Sequence, residues 1–359
     1  MLKTQIKNII LKRLTKIYNK NVFLKNINLK INNNTCTGIL GLSASGKSTL
    51  SNIISGYDSE YTGNIFFDDV NVDKYNIYER KVKIISNETT LFNSLSVYNN
   101  IYFGFRDDCN YTEEEKKSKI IHLLKKYNLY YIKDYKCGIL SSGQKQKIMI
   151  LRAIIDKLNC LILDEAFTNI DINKKQELYH LINQINKNYQ IPIIVISHYI
   201  EEIIHLTNEV ILINQGEVIQ HIKTDKIFDI ENLNIHLVKI TQRYNIVNVE
   251  SHSIENETYS FKIDNDSYIN CHVSNIVNKE NIDHKYIICI PKTSEINIEK
   301  NNNSILDFEF EIIQIKNFEY YFLLTLKHKN INIEISTTHK YEVYQKLYIN
   351  VQKIIILKL

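Results

Sequence analysis

Apolar and polar positions change period along this chain, and the changes mark its parts. Up to residue 40 the pattern alternates, as in Val22-Phe23-Leu24 and Ile27-Asn28-Leu29-Lys30-Ile31, which predicts short β-strands. Further short β segments are expected over 57–86, with turns at Thr62-Gly63-Asn64 and Asp68-Asp69. The run Ile84-Ile85 ends in the polar groups Ser86-Asn87-Glu88. Residues 112–158 read as helical. Thr112 and Glu115 form a capping box, and Ile120, Leu123, Leu124 and Tyr127 follow at helical spacing. Two unbroken apolar runs, Cys160–Leu163 and Ile193–Ile196, predict buried strands. Between them Leu178, Leu181, Ile182 and Ile185 mark a helix face, and a hairpin is expected around Asn214-Gln215-Gly216. From about residue 231 strict alternation takes over, in Phe308–Ile312, Ile331–Ile335 and Leu347–Val351. Asp264-Asn265-Asp266 reads as a turn there, and Asn301-Asn302-Asn303 as a divider between two halves. The pattern therefore predicts an α/β domain over 1–230, followed by an all-β domain of small-barrel type over 231–359.

Composition narrows the picture. A chain of 359 residues with 44% hydrophobic content has room for two or three packed domains. The abundance of Asn, Ile and Lys reflects coding bias and carries no function. Against that bias the nine glycines, all at or before Gly216, are informative. A net charge of +4 is too small to argue for nucleic acid. The six cysteines show no C-x-x-C spacing, which points to reduced thiols and away from a metal site. There is no run of about 18 apolar residues and no signal-peptide core. A soluble, cytoplasmic protein is expected, able to dock on a membrane partner.

The chemistry centres on Gly41-Leu42-Ser43-Ala44-Ser45-Gly46-Lys47-Ser48-Thr49, a G-x-x-x-x-G-K-[ST] phosphate-binding loop. It follows an apolar strand ending at Leu40 and precedes a helix face of Leu50, Ile53 and Ile54. Backbone N–H groups and the helix dipole favour an anion there. Lys47 supplies a charge for the β and γ phosphates, and Ser48 a hydroxyl for Mg²⁺. Tyr18, ahead of the loop, either stacks on a base or is an ordinary half-buried strand residue. Asp164-Glu165 closes the first buried strand. As paired carboxylates they suit Mg²⁺ and catalysis, with Asp164 holding the metal through water and Glu165 taking a proton from attacking water. A plain acidic turn is the alternative. Ser197-His198 closes the second strand, where His198 is either a satisfied strand-end residue or a γ-phosphate contact. Ser141-Ser142-Gly143-Gln144 is a second small-residue loop before a helix bearing Ile148, Leu151 and Ile155, and a second anion site is physically reasonable there.

Taken in order, these motifs resemble the ATPase subunit of ABC transporters over residues 1–220. The resemblance makes 41–49 Walker A, Asn87 the Q-loop position, 140–144 the signature, 160–165 Walker B, Asp171 the D-loop residue and His198 the switch histidine. Asn87 stands where Gln is usual, Ser142 where Gly is usual and Ala166 where Pro is usual. The resemblance implies a P-loop ABC-type nucleotide-binding domain with a helical subdomain over about 87–155. The β domain would be OB-like, of TOBE/Mop type, with a last barrel segment over about 304–359. Asn87 would join Ser48 and Asp164 near Mg²⁺ and act beside Glu165 and His198. Within that family the chain is most similar to the molybdate importer's ATPase. Ile290–Ser294, Ser304–Asp307 and the closing Leu347–Leu357 carry that likeness. It implies a homodimer with ATP between Walker A of one copy and Ser141–Gln144 of the other. It also implies a membrane permease, an external oxyanion-binding protein as indirect partner, and a peripheral location on the cytoplasmic face of the cell membrane. Other cargoes (sulfate, iron, sugar) and a non-transporting ATP-binding regulator are the alternatives. In the β domain, Lys292, Ser304, Thr337 and Thr338 are candidate oxyanion donors.

Overall fold

The computed structural model describes the chain except residues 1–5, 19–20, 34, 87, 107–108, 169, 265–266, 279–285, 293–294, 298–308, 319–320, 330, 352–353 and 359. The chain divides into two compact units, Met1–Ile227 and Phe228–Leu359.

The first unit opens with a long antiparallel hairpin, β1 (Asn8–Tyr18) and β2 (Asn21–Asn32). Its alternation changes phase midway. Ile9 and Leu11 are buried, then Leu14 and Lys16, because a register shift falls between Leu11 and Leu14, where Arg13 has φ 50°. That bulge turns the Lys16 side chain inward. Next come β3 (Cys36–Leu40), the phosphate-loop segment and α1 (Lys47–Ser55). β4 (Thr62–Phe67) and β5 (Val70–Asn71) complete an antiparallel sheet of order β2-β1-β4-β5. The remaining elements are α2 (Ile77–Arg80), β6 (Val82–Ser86), α3 (Val97–Tyr102), α4 (Glu113–Lys126), α5 (Ser142–Ile154), β7 (Cys160–Asp164), α6 (Ile172–Tyr189), β8 (Ile193–Ser197), α7 (Ile200–Leu206), β9 (Glu209–Asn214) and β10 (Glu217–Lys223).

A six-stranded sheet of order β10-β9-β3-β8-β7-β6 forms the centre. All its pairs are parallel except β9–β10. β3, β7 and β8 are buried at every position, which explains why they read as unbroken apolar runs. Leu50, Ile53 and Ile54 of α1 join Ile39, Ile162, Ile194 and Ile211 with Ile9, Leu11 and Phe67 in one core. The amphipathic face expected after the phosphate loop is thus the face that holds α1 between the two sheets. Arg80, fully buried, closes the far end of α1 by donating from Nη1 to Ile53 O at 2.6 Å.

The second unit is β-rich but begins with a helix, α8 (Ile235–Thr241), whose Asn234 side chain accepts from Leu237 N. Leu233, Leu237 and Val238 are buried at helical spacing inside a stretch read as alternating. The strands are β11 (Tyr244–Asn248), β12 (Ser251–Glu255), β13 (Thr258–Asp264), β14 (Ser267–His272), β15 (Ile276–Val277), β16 (Tyr286–Pro291), β17 (Glu295–Asn297), β18 (Phe310–Asn317), β19 (Phe322–His328), β20 (Ile331–Thr337), β21 (Lys346–Asn350) and β22 (Ile354–Lys358). They pair as sheets of order β11-β16-β22-β15, β12-β13-β14 and β17-β21-β18-β19-β20. The period-2 faces pack as the alternation requires, with Phe310, Ile312, Leu324, Leu326, Ile333, Ile335, Leu347 and Ile349 in one core. Two strands cross the divide expected at 301–303. β17 pairs with β21, and β22 pairs with β16, so the halves are interleaved rather than sequential. Asn301–Asn303 and Ser304 themselves lie outside the described residues.

Candidate functional site

Four parallel strands end side by side. Across the sheet Leu40 is level with Ser197, Asp164 with Ile196, and Ser86 with Asp164. The phosphate loop, Asp164-Glu165 and His198 therefore share the carboxyl edge of one sheet, the position where parallel α/β folds place ligands.

The loop geometry suits a polyanion. A Cβ at Gly41 would stand 2.4 Å from Ile213 O, and Gly46 has φ 102°, so both positions require glycine. Gly46 is also the N-cap of α1 and offers no side-chain acceptor, which leaves the first-turn N–H groups for a ligand. Lys47 is buried, and its Nζ donates to Gly41 O at 2.9 Å and Leu42 O at 2.8 Å. Burial pushes its pKa down, against the pull of Glu165 and Asp164. Leu42, Ser43, Ala44 and Ser48 are exposed, Thr49 is half-buried, and Ser45 is buried with its hydroxyl unpaired. Ala44 holds φ 61°, a left-handed conformation that costs a side-chain-bearing residue energy.

Behind the loop lie the carboxylates. Asp164 accepts from Ser51 Oγ at 3.3 Å through Oδ2, while its Oδ1 is buried and has no protein partner. Burial raises its pKa, opposed by the neighbouring Ser48 and Ser51 hydroxyls. A buried carboxylate oxygen lacking a donor, beside the exposed Ser48 hydroxyl, fits a Mg²⁺ reached by hard oxygen ligands. Among the described residues no three His, Cys, Asp or Glu gather into a cage. A cation there would draw its remaining ligands from phosphate and water. Glu165 sits at φ 50° and donates its backbone N–H to Ile196 O at 2.9 Å. Its Oε1 lies 3.1 Å from His198 Nδ1. Two residues from adjacent strand ends thus meet, each about one-third exposed (side chains 33% and 32%).

The other expected residues are distributed differently. Tyr18 ends β1 with its hydroxyl on the Asp58 carboxylate, Lys16 Nζ 4.3 Å from its ring centroid and Phe23 edge-on at 5.0 Å. The Asp58 hydrogen bond lifts its pKa to about 12. The neighbouring Phe23 carbonyl is 3.1 Å from the Cβ position of Gly46, which sets the aromatic pair beside the phosphate loop. Ser141 is the N-cap of α5 and exchanges hydrogen bonds with Gln144, Gln144 N to Ser141 Oγ at 3.3 Å and Ser141 N to Gln144 Oε1 at 3.1 Å. Ser141, Gly143 and Gln144 line a cavity of about 850 Å³ with Lys126, Lys174 and Glu177, a cavity that no phosphate-loop residue lines. Ser142 is exposed. The 141–144 stretch therefore shares this cavity with α4 and α6 residues and not with the phosphate loop. Asp171 is exposed at the start of α6 and paired with Lys174 at 2.9 Å, which lowers its pKa. Asn87 lies outside the described residues.

Sequence reasoning missed several participants. Ser51 was legible in principle as a serine on the buried face of α1. Lys16 and Asp58 were not, because the bulge at Arg13 decides which way Lys16 points. Glu202 was also missed, although a carboxylate inside the apolar stretch 200–206 is itself a signal. It is 2% exposed, accepts from Ser197 Oγ at 2.7 Å and pairs with Lys175 at 2.8 Å.

The Lys292 expected to donate to an oxyanion is paired with Glu334, and the Thr337 hydroxyl accepts from His339 N at 3.2 Å.

The first unit has the fold of an ABC-type P-loop nucleotide-binding domain, and a β-rich C-terminal unit follows it. Residues 24–168 match the family model described as ABC transporter. The chain is 28% identical, over 62% of its length and 64% of the relative's, to the Fe(3+) ions import ATP-binding protein FbpC of Mannheimia succiniciproducens. It is 27% identical, over 94% of both chains, to the spermidine/putrescine import ATP-binding protein PotA of Mesoplasma florum. The solved structure of cbiO1 from Clostridium perfringens, part of the ABC transporter complex cbiONQ, superposes with a TM-score of 0.58 at 27% identity. That superposition covers 63% of this chain and 92% of cbiO1. The chain spans under two thirds of the length of several curated relatives, 64% in the iron-import case. No described helix is long and apolar enough to cross a membrane.

Proposed function

We propose that this chain is the ATP-hydrolysing, energy-coupling subunit of an ABC import system. The observation that carries the reading is the contact of Glu165 with His198 at 3.1 Å, on the same sheet edge as the phosphate loop and the unpartnered Asp164 Oδ1. Lys47 and the loop N–H groups hold the β and γ phosphates, with Gly41 and Gly46 allowing close approach and Leu42, Ser43, Ala44, Ser45 and Thr49 completing the wall. Ser48 and Asp164 are the residues that would hold Mg²⁺. The bound ion supplies charge neutralisation at the phosphates. Glu165 accepts the proton of the attacking water as the new P–O bond forms and the bond to the β-phosphate oxygen breaks, giving ADP and phosphate. His198 orients Glu165 and reaches the γ-phosphate. Asn87 takes the Q-loop role, near Mg²⁺ and the attacking water.

Tyr18 offers one ring face to the base, its other neighbours being Lys16 and Phe23. Ser141–Gln144 and Asp171 complete the site of a second copy in a head-to-tail homodimer, which is consistent with their separation from the phosphate loop. We assign 1–230 as the ATPase domain, with 87–155 as the face that docks a membrane permease on the cytoplasmic side. We assign 231–359, including the 304–359 segment, to dimer contact or regulation as a TOBE-type domain. Nucleic acid is not a partner in this reading.

The cargo favoured is a polyamine, because the Mesoplasma relative matches over both units and is named for spermidine and putrescine. Iron is the second reading, on the Mannheimia relative. The molybdate likeness rests partly on Ser304–Asp307, outside the described residues, and no relative reported above is named for an oxyanion. An external binding protein would then carry a polyamine. The test is uptake of labelled putrescine, ferric iron and molybdate in cells whose chromosomal copy carries Glu165→Gln. Loss of putrescine uptake alone supports the reading. Loss of molybdate uptake with putrescine unchanged overturns the cargo assignment, and unchanged uptake of all three overturns the import role.

A further inference from the structure

We infer that Glu202, acting with Ser197 and Lys175, is a positioning residue that sets His198 against Glu165 and ties it to α6, the helix that begins at Asp171. The inference rests on the site reading above and adds a group that touches no nucleotide.

Two adjacent acids open α7, and they behave oppositely: Glu201 is exposed while Glu202 is 2% exposed. A buried carboxylate is costly unless both oxygens are satisfied. Here Oε1 accepts from Lys175 Nζ at 2.8 Å and Oε2 from Ser197 Oγ at 2.7 Å. Buried ion pairs are poor stabilisers compared with apolar packing, and their better-attested use is to specify one geometry.

The geometry specified is that of His198. Ser197 Oγ, held by Glu202, accepts from Tyr199 N at 2.9 Å, so the residues before and after His198 are pinned to one point. The facing partner is pinned too, because Glu165 N donates to Ile196 O at 2.9 Å. Both backbones are fixed where the two side chains meet.

The network reaches beyond the strand end. Lys175 belongs to the first turns of α6, its backbone N–H on Asp171 O at 2.9 Å. Its Nζ also lies 5.4 Å from the Tyr199 ring. α6 and α7 are further locked by Tyr179 stacked on His205 at 5.7 Å. A displacement of the Asp171 end of α6 therefore bears on His198 through Lys175 and Glu202.

The test uses the full chain with Mg-ATP. Glu202→Gln keeps the shape and removes the charge. Ser197→Ala leaves the Lys175–Glu202 pair intact and cuts only its link to His198. Each is made with and without His198→Ala, and kcat, ATP affinity and the His198 imidazole NMR shifts are read, with thermal melts confirming folding. The expected result is a fall in kcat of about 10- to 100-fold, up to the cost of misplacing a reacting group by about 1 Å. ATP affinity should stay within twofold, the imidazole resonance should shift, and no further loss should appear in the His198→Ala background. If Glu202→Gln does not fold, Ser197→Ala decides alone. Rates within twofold of wild type, or an equal loss with and without His198, overturn the inference while leaving the site reading in place. A His198→Ala protein at full rate overturns the site reading and this inference with it.

Discussion

Replacing Lys47 with Ala probes the phosphate loop most cleanly. In the free loop Nζ already makes two hydrogen bonds, to Gly41 O and Leu42 O. In the proposed reading, nucleotide binding would exchange them for contacts to phosphate oxygens. Two charge-assisted bonds contribute about 3–6 kcal/mol, and the two loop bonds released cost about 1–3 kcal/mol. Pairing like ends of the two ranges, the net is about 2–3 kcal/mol, so Lys47→Ala should weaken ATP binding by about 30- to 150-fold. A control separates this from simple loss of charge. Lys25 is exposed and paired with Glu217 at 3.1 Å, and Lys25→Ala removes the same charge from the surface. Isothermal titration with Mg-ATP, alongside circular dichroism to confirm the fold, measures both. Lys47→Ala within threefold of wild type, or no weaker than Lys25→Ala, would refute the phosphate-loop reasoning.

Three further outcomes follow from the same geometry. Ala44→Gly relieves a left-handed alanine and should raise stability by about 1 kcal/mol, seen as a Tm increase of about 2–4 °C. An unchanged or lower Tm would count against strain there. The raised pKa of Asp164 means that the folded protein binds a proton more tightly than the unfolded chain. Stability without nucleotide therefore falls as pH rises from the ordinary carboxylate value through the raised one. Asp164→Asn should remove that fall and raise Tm at neutral pH. It should also weaken Mg²⁺-dependent ATP binding by about 1.5–3 kcal/mol, and melts across pH with and without Mg-ATP check both parts. Ser141→Arg should abolish turnover with ATP binding by the single chain within threefold. Mixing it with Lys47→Ala should restore part of the activity, because one composite site then carries neither lesion; sedimentation with ATP and phosphate release read the two halves.

The residues that meet at the sheet edge were legible because each signal is local. A phosphate loop, a strand-end Asp-Glu and a strand-end His are each contained in a few residues, and the parallel order of β3, β8 and β7 brings them to one edge. What was not legible depends on distant geometry. Lys16 turns inward only because of the bulge at Arg13, and the pairing of Glu202 with Lys175 requires α6 and α7 to pack. In the second unit α8 escaped notice because Leu233, Leu237 and Val238 lie in a stretch that also alternates. The return of β22 to β16 is a pairing across five intervening strands, which no local pattern encodes.

The central claim is that Glu165, held by His198, is the base of an ATPase. The most direct measurement is phosphate release by the purified full chain and its Glu165→Gln variant, with ATP affinity measured on both. Turnover should fall by about 10²–10⁴-fold, the range for loss of a general base, with ATP affinity within threefold. Phosphate release by Glu165→Gln within twofold of wild type would contradict it.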